Sequence, residues 1–210
     1  MKPIEKKSAR DQVIISLRKA IFNGDLKNGE EITQEEIAKI LNVSRMPVRE
    51  AFYALEREGL LLTQQNRRVI VKGVTEEDIK DHYDIRAMLE GEAAAKAARL
   101  ATDLKDLEEI NKEIEKAVQA RNTDEYIVAN EHFHRTIWKL SNSVRLQSFL
   151  DQLWSGLPPH LAEMVTEQMG KAHSEHQDIL EAFRNRDEHA ARELMMSHIK
   201  RSKIDFLKIF

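Results

Sequence analysis

Apolar residues recur every three or four positions along most of the chain, a spacing typical of amphipathic helices. The first such segment runs from Ser8 to Phe22 and places Val13, Leu17 and Ile21 on one face. The dipeptide Asn23-Gly24 follows it and favours a turn. The pattern therefore predicts a helix over this first segment.

Two shorter helices follow, and each begins at a residue type that commonly caps a helix. Thr33, with Glu36 three positions later, forms a capping-box pattern, which predicts a helix ending near Leu41. Ser44 is the predicted cap of the next helix, which ends near Glu58. Two helices joined by a tight turn predict a helix-turn-helix.

A β-hairpin is predicted directly after these helices. Two short runs of β-prone residues, 60–63 and 69–71, flank a polar tip that contains Arg67 and Arg68. Joined to the helix-turn-helix, the hairpin predicts a winged-helix domain over residues 1–73.

From residue 74 the sequence changes to long helical segments. The whole chain has only 7 Gly and 4 Pro, which favours a mainly α protein. The predicted helices of this part lie at 75–101, 103–121, 123–140, 142–154, 160–168, 171–184 and 187–210. They predict a second domain over residues 74–210, an all-α helical bundle.

Charge is distributed unevenly between the two predicted domains. Residues 1–73 hold 14 of the 33 Lys and Arg and 10 of the 36 Asp and Glu, so their net charge is +4 and that of the remainder is −7. A basic first third suits a polyanionic partner such as DNA. The chain contains no Cys, which excludes disulfides and thiolate metal sites.

No targeting or membrane segment is evident in the sequence. Residues 1–7 carry charge but lack the apolar stretch of a signal peptide. Because no run of about 18 apolar residues occurs, no transmembrane helix is predicted. We therefore expect a cytoplasmic protein without a membrane partner.

Candidate DNA contacts gather at the start of the second helix of the helix-turn-helix. Arg45 and Arg49 are four positions apart and share one helix face, beside the cap Ser44. Arginine is the usual bidentate partner of guanine O6 and N7, and a helix N-terminus favours phosphate. On the wing, Arg67 and Arg68 are placed to reach the backbone or the minor groove. These five residues predict binding to double-stranded DNA.

The residue string of this region resembles the GntR family of bacterial regulators over residues 8–73. The matching motifs are Val43-Ser-Arg-x-Pro-Val-Arg-Glu-Ala51 and Leu55-x-x-Glu-Gly-Leu60. The resemblance implies a homodimer that binds a palindromic operator. Glu35 stands where the family often has Arg, and Arg68 where the wing often has Gly, so the operator sequence is expected to differ.

Polar residues at bundle spacing are candidate metal ligands in the second domain. Asn130 and His134 are four positions apart on one helix face, whereas His132 points to the opposite side. His176 and His198 lie on two later helices among apolar neighbours. Three helices that point such groups inward can form a metal site, but a lone His on a helix is more often exposed or a satisfied core residue. The other histidines, expected at the surface or around the site, are His82, His160, His173 and His189.

Residues 79–200 resemble the FadR C-terminal domain found in one branch of the GntR family. The matching strings are Ile85-Arg-x-x-Leu-Glu90, Asn130-x-x-Phe-His134, Ser141-Asn142, Glu175-His176-x-x-Ile-Leu180 and Ala190-Ala191 leading to His198. The resemblance implies an antiparallel bundle that binds a divalent metal through Asn130, His134, His176 and His198. Many members have Asp at the first position. The neutral Asn130 favours Zn²⁺ or Ni²⁺ over harder cations.

The same resemblance implies a small organic acid as the effector, bound by Arg86 and Asn142. Arginine suits this role because it pairs with a carboxylate through two parallel hydrogen bonds. The alternative for Arg86 is a structural ion pair with Glu90, one helical turn later. The sequence leaves both interpretations open.

Three functions are consistent with these predictions. The first is a regulator, most commonly a repressor, whose DNA affinity responds to an acid bound near the metal. The second is a regulator for which the metal ion itself is the signal. The third is a metal-dependent hydrolase, but the chain has no His-Glu-x-x-His motif and no evident general base or nucleophile. We therefore expect a regulator and not an enzyme.

Overall fold

The fold is described by a computed structural model over four stretches of the chain: 8–22, 24–64, 68–156 and 168–208. The chain divides into two compact units, Met1–Thr75 and Glu76–Phe210. Arg67 and His160 lie outside the described stretches, as does nearly all of the helix predicted at 160–168. No helix of the described stretches is both long enough and apolar enough to span a bilayer.

The described part of the first unit combines three helices with a small sheet. Its elements are α1 (Ala9–Phe22), β1 (Glu31–Ile32), α2 (Gln34–Ile40), α3 (Arg45–Arg57), β2 (Leu61–Thr63) and β3 (Val69–Val71). The sheet has the order β1-β3-β2, and both pairs are antiparallel. The predicted helix-turn-helix with a hairpin wing is confirmed. Strand β1 adds a third strand that the sequence pattern did not predict.

Helix α3 packs on the apolar core of the first unit, and the preceding helix α2 begins at a capping box. Val48 and Leu55 of α3 are fully buried, and Val13 of α1 belongs to the same core. The capping box of α2 is present, since Glu36 N–H donates to Thr33 Oγ1 (3.2 Å) and Thr33 N–H donates to Glu36 Oε2 (3.0 Å). The core contacts hold α3 in place and leave Arg45 and Met46, its first two residues, exposed.

The described part of the second unit is helical throughout. Its elements are α4 (Glu76–Leu100), α5 (Lys105–Ala120), α6 (Thr123–Leu140), α7 (Val144–Gly156), α8 (Met169–Arg184) and α9 (Glu188–Leu207). Helices α4 and α9 pack along each other. A Cβ atom at Gly91 would lie 2.6 Å from Met196 Cγ, so Gly91 permits their close approach. The predicted all-helical second part is confirmed.

Candidate metal centre and DNA-contact face

Three buried histidines converge in the interior of the helical unit. His134 comes from α6, His176 from α8 and His198 from α9. One ring nitrogen of each lies within 4.8 Å of the others. The ring centroids are 4.7 Å apart for His176 and His198 and 5.2 Å apart for His134 and His198. The structure thus brings together the three histidines that the sequence singled out on separate helices.

Unpartnered polar atoms at this cluster fit a bound cation. Within the described part of the chain, His134 Nε2 and both ring nitrogens of His176 are buried without a hydrogen-bond partner. The same holds for Oδ1 of Asn130, one helical turn before His134 on α6. Buried polar atoms seldom remain unpaired, because each loses its hydration without compensation. Imidazole nitrogens and an amide oxygen are donors that Zn²⁺ and Ni²⁺ accept, so the residues present fit a divalent metal.

Glu90 of α4 contacts His134 through the ring nitrogen Nδ1, and not through the unpartnered Nε2. Its Oε2 accepts hydrogen bonds from His134 Nδ1 (2.6 Å) and Trp138 Nε1 (3.1 Å). Its Oε1 accepts from Arg86 Nε (2.6 Å). A carboxylate that accepts from Nδ1 places the proton of a neutral ring there and leaves Nε2 as the lone-pair donor for a metal. Glu90 therefore sets both the orientation and the tautomer of His134.

Glu175 does the same for His198 from a different helix. Its Oε2 accepts from His198 Nδ1 (2.6 Å), and its Oε1 accepts from Arg201 Nε (2.6 Å). His176 has no such carboxylate among the described residues. Its ring instead stacks on Phe133, with centroids 4.2 Å apart and planes 23° apart. Two rings of the cluster are thus oriented by ion-paired carboxylates and the third by aromatic packing.

The environment keeps the carboxylate charged and two of the rings neutral. Burial alone would raise the pKa of Glu90, but His134 and Arg86 outweigh it and hold that pKa well below its usual range. Burial lowers the pKa of His176 well below its usual value, and neighbouring His198 and His134 lower it further. Burial also lowers the pKa of His198 to about 4, against the opposing effect of Glu175. Neutral imidazole is the form that binds a metal.

Arg86 lies at the edge of the centre and makes the ion pair that was its structural alternative. Its guanidinium carbon lies 4.3 Å from the centroid of the Trp154 ring, and that ring lies 5.3 Å from the ring of His134. Only Nε contacts Glu90 among the described hydrogen bonds. The ion pair therefore leaves the remaining guanidinium N–H groups for a ligand, and the two interpretations of Arg86 are compatible.

The other polar residues named from the sequence are placed as follows. Asn142 is exposed in the turn after α6, with a left-handed backbone (φ 50°), and its effector role stays a prediction. His132 and His189 are exposed. His82 and His173 are half-buried, each with one buried, unpartnered ring nitrogen among the described residues, and burial lowers the pKa of His82 to about 4.

Four of the five predicted DNA contacts lie in the described part of the winged unit, at the start of α3 and on the wing, and all four are exposed. Arg45 and Arg49 are exposed in and next to the first turn of α3. Ser44 occupies the N-cap position, as predicted, but its side chain makes no capping hydrogen bond. Arg45 Nη2 lies 2.7 Å from Glu35 Oε2, and Arg68 Nη1 lies 3.1 Å from Glu31 Oε2. The basic face therefore carries acidic partners.

Three residues of the metal centre were missed by sequence reasoning. The sequence indicates Glu90 only as a partner of Arg86, and Glu175 only as part of the motif that contains His176. Trp154 was not singled out from the sequence, yet its ring lies close to both Arg86 and His134. A signal existed for Glu90, since it shares a helix face with Ala87, three positions before it, and Ala94, four positions after it, and both are small residues that the structure buries fully. No local signal exists for Glu175, because its partner lies 23 residues away on another helix.

Comparisons with known proteins agree with this division of the chain. Residues 9–71 match the bacterial regulatory proteins of the gntR family, and residues 81–201 match the FCD domain. The HTH-type transcriptional regulator YdhC of Bacillus subtilis, described as uncharacterized, is 30% identical over 198 residues, which is 87% of this chain and 84% of that protein. The gluconate operon transcriptional repressor of the same organism is 27% identical over 164 residues, 77% of this chain and 65% of that protein.

A solved structure shares the fold along nearly the whole chain. It is Escherichia coli McbR/YncC, with a TM-score of 0.71 and 23% sequence identity, covering 97% of this chain and 99% of that one. The winged unit and these similarities together define a DNA-binding transcription regulator and not an enzyme. The chain belongs to the GntR family and carries an FCD domain.

Proposed function

We propose that this chain is a transcriptional repressor whose affinity for its operator is set by a small organic acid, bound beside a divalent metal in the helical unit. The observation that carries the proposal is the convergence of His134, His176 and His198, with unpartnered ring nitrogens on His134 and His176. Zn²⁺ or Ni²⁺ is the proposed ion. When bound, it would act as a Lewis acid with open positions for a carboxylate.

Arg86 is the proposed partner of the acid. Its free N–H groups and its position against Trp154, near His134, support this role. Its charge is already balanced by Glu90, so an incoming carboxylate is held by oriented hydrogen bonds more than by net charge. Asn142 is the second proposed contact. Repression is supported by the relative named as a gluconate operon repressor, and gluconate is itself a small organic acid.

For DNA, we propose contacts by Ser44, Arg45, Arg49, Arg67 and Arg68 from each subunit of a homodimer. Twofold symmetry of the protein requires a palindromic operator. The acid can change operator affinity only by binding one arrangement of the dimer more tightly than the other. The proposed mechanism is thus a shift between two arrangements, driven from the metal centre.

The first experiment is elemental analysis of protein purified without chelator. We expect about one Zn or Ni per chain and less than about a tenth of that in His134→Ala, which removes one ring of the cluster. His132→Ala is the matched control, because His132 is exposed on the same helix, and it should retain the metal. Wild-type protein that holds no metal and binds no added Zn²⁺ would refute the metal part of the proposal.

The second step tests the effector with the metal-loaded protein. Small carboxylates, gluconate among them, are screened by thermal shift and then added to a DNA-binding assay. The proposal requires an acid that weakens operator binding in the wild type and has no effect in Arg86→Ala. Stabilisation without any change in DNA affinity would contradict it.

A second candidate is a regulator for which the metal itself is the signal. It is favoured by the neutral Asn130, since a donor set without a carboxylate holds its ion less tightly. Dialysis distinguishes the two candidates. An ion lost on dialysis, with DNA affinity changing on its return and no response to acids, would favour this alternative.

A further inference from the structure

Glu35 places a negative charge on the helix pair that we propose to contact DNA. It lies in the first turn of α2 and pairs with Arg45, the first residue of α3, at 2.7 Å. The side chains are 72% and 66% exposed. Because an exposed ion pair of this kind contributes at most about 1 kcal/mol to folding, stability does not account for it.

The charge also opposes simple affinity for DNA. A carboxylate next to a polyanion is repelled, and duplex binding without sequence preference depends on neutralised phosphates. An acidic residue at this position therefore weakens binding to every duplex, unless it also changes which DNA groups Arg45 contacts.

The geometry shows what Glu35 can change. A guanidinium has five N–H donors, and Glu35 takes one of the terminal nitrogens of Arg45, Nη2. The other donors remain for guanine O6 and N7, the acceptors that arginine reads in the major groove. An Arg45 held in this way is less able to turn to a phosphate.

We propose that Glu35 is a specificity-determining residue, which acts by holding Arg45 toward the bases and reducing its contact with backbone phosphates. The proposal rests on the assignment of Arg45 as a DNA contact. It makes Glu35 a positioning residue that lowers binding to non-specific DNA more than binding to the operator.

The test compares two duplexes across a range of salt concentrations. One is the sequence that wild-type protein selects from a random library, and the other is a shuffled version of it. In Glu35→Gln, which keeps the shape and removes the charge, we expect affinity for the shuffled duplex to rise about fivefold. The salt slope should steepen by about 0.9, as for one additional phosphate contact. Affinity for the selected duplex should change less, so the specificity ratio falls.

A double-mutant cycle with Arg45→Ala decides whether Glu35 acts through Arg45. The effect of Glu35→Gln should disappear in the Arg45→Ala background. Glu113→Gln, an exposed change of the same charge in the helical unit, is the control for net charge and should leave the ratio unchanged.

Three outcomes would overturn the proposal. One is an equal effect of Glu35→Gln in the wild-type and Arg45→Ala backgrounds, which would mean that the charge of Glu35 repels DNA without acting through Arg45. Another is a loss of affinity for the selected duplex alone, which would mean that Glu35 reads a base directly. The third is no change in either duplex. The assignment of Arg45 is tested separately, because Arg45→Ala alone should weaken binding to the selected duplex about tenfold or more.

Discussion

The two units use glutamates to hold functional side chains, but in opposite environments. In the helical unit, Glu90 is fully buried and accepts three hydrogen bonds from His134, Arg86 and Trp138. In the winged unit, Glu35 is 72% exposed and pairs with one arginine. Glutamate thus orients buried side chains in the helical unit and pairs with an exposed arginine in the winged unit.

The difference matches what we propose that each unit recognises. A buried carboxylate has lost its hydration, so it is stable only when hydrogen-bond and charge partners replace that hydration, and those partners are held in one geometry. Such a site suits an ion or a small acid with strict coordination requirements. An exposed pair is screened by solvent and reorganises at little cost, which suits a long polyanion read by many weak contacts. Substitutions at the glutamates should therefore differ in both the size and the kind of their effects.

The largest effect is expected from Glu90→Ala. Removing this carboxylate leaves the charge of Arg86 uncompensated and the Trp138 N–H unpaired in the interior, which should lower the free energy of unfolding by about 3–5 kcal/mol. Urea unfolding of metal-free protein, followed by tryptophan fluorescence, measures this change, because both tryptophans, Trp138 and Trp154, lie in the helical unit.

Glu92→Ala is the matched control for this prediction. Glu92 lies on the same helix, 43% exposed, and its partner is Arg192 of α9. Its loss should cost less than about 1 kcal/mol. Equal losses for the two variants would contradict the distinction between a buried hub and a surface pair.

A smaller effect, on metal affinity, is expected from Asn130→Asp. Asn130 Oδ1 is buried without a partner among the described residues, and the three imidazoles contribute no charge. A carboxylate at this position adds one negative charge to the donor set, which should tighten Zn²⁺ binding at least about tenfold. Competition with a chelating dye gives the affinity. Asn185→Asp, the same change at an exposed site, should leave it unaltered. No change in Asn130→Asp would mean that residue 130 is not a ligand.

Local sequence signals predicted much of the fold. The capping box of Thr33 and Glu36 and the periodic apolar residues placed α2 and the long helices within a few residues of their observed ends, because such signals act within a turn or two of the chain. Spacing also placed His134, His176 and His198 on inward helix faces. Their proposed role as metal ligands depended on the resemblance, since the same spacing is compatible with satisfied core histidines.

The remainder depends on contacts between distant parts of the chain. Strand β1 has only two residues, which is too short to show an alternating pattern. It pairs with the distant strand β3, Glu31 with Ile70 and Ile32 with Val69. The bond from Glu175 to His198 joins two helices. Neither of these two contacts could be predicted from the hydrophobic periodicity, because periodicity indicates which face of a helix or strand is buried and not which element packs against it.

The smallest effect is expected from Glu31→Gln in the winged unit. Glu31 is 43% exposed and Arg68 is 59% exposed, so solvent and salt screen their attraction. The free energy of opening measured by hydrogen exchange should therefore fall by less than about 1 kcal/mol. Hydrogen exchange measured on peptides spanning β1 and β3 reports the unit locally, which matters because the two units can unfold separately. Since Glu31 pairs with Arg68 on the wing, a loss as large as that of Glu90→Ala would mean that this surface pair is structural. The distinction between the buried glutamate of the helical unit and the exposed glutamates of the winged unit would then be wrong.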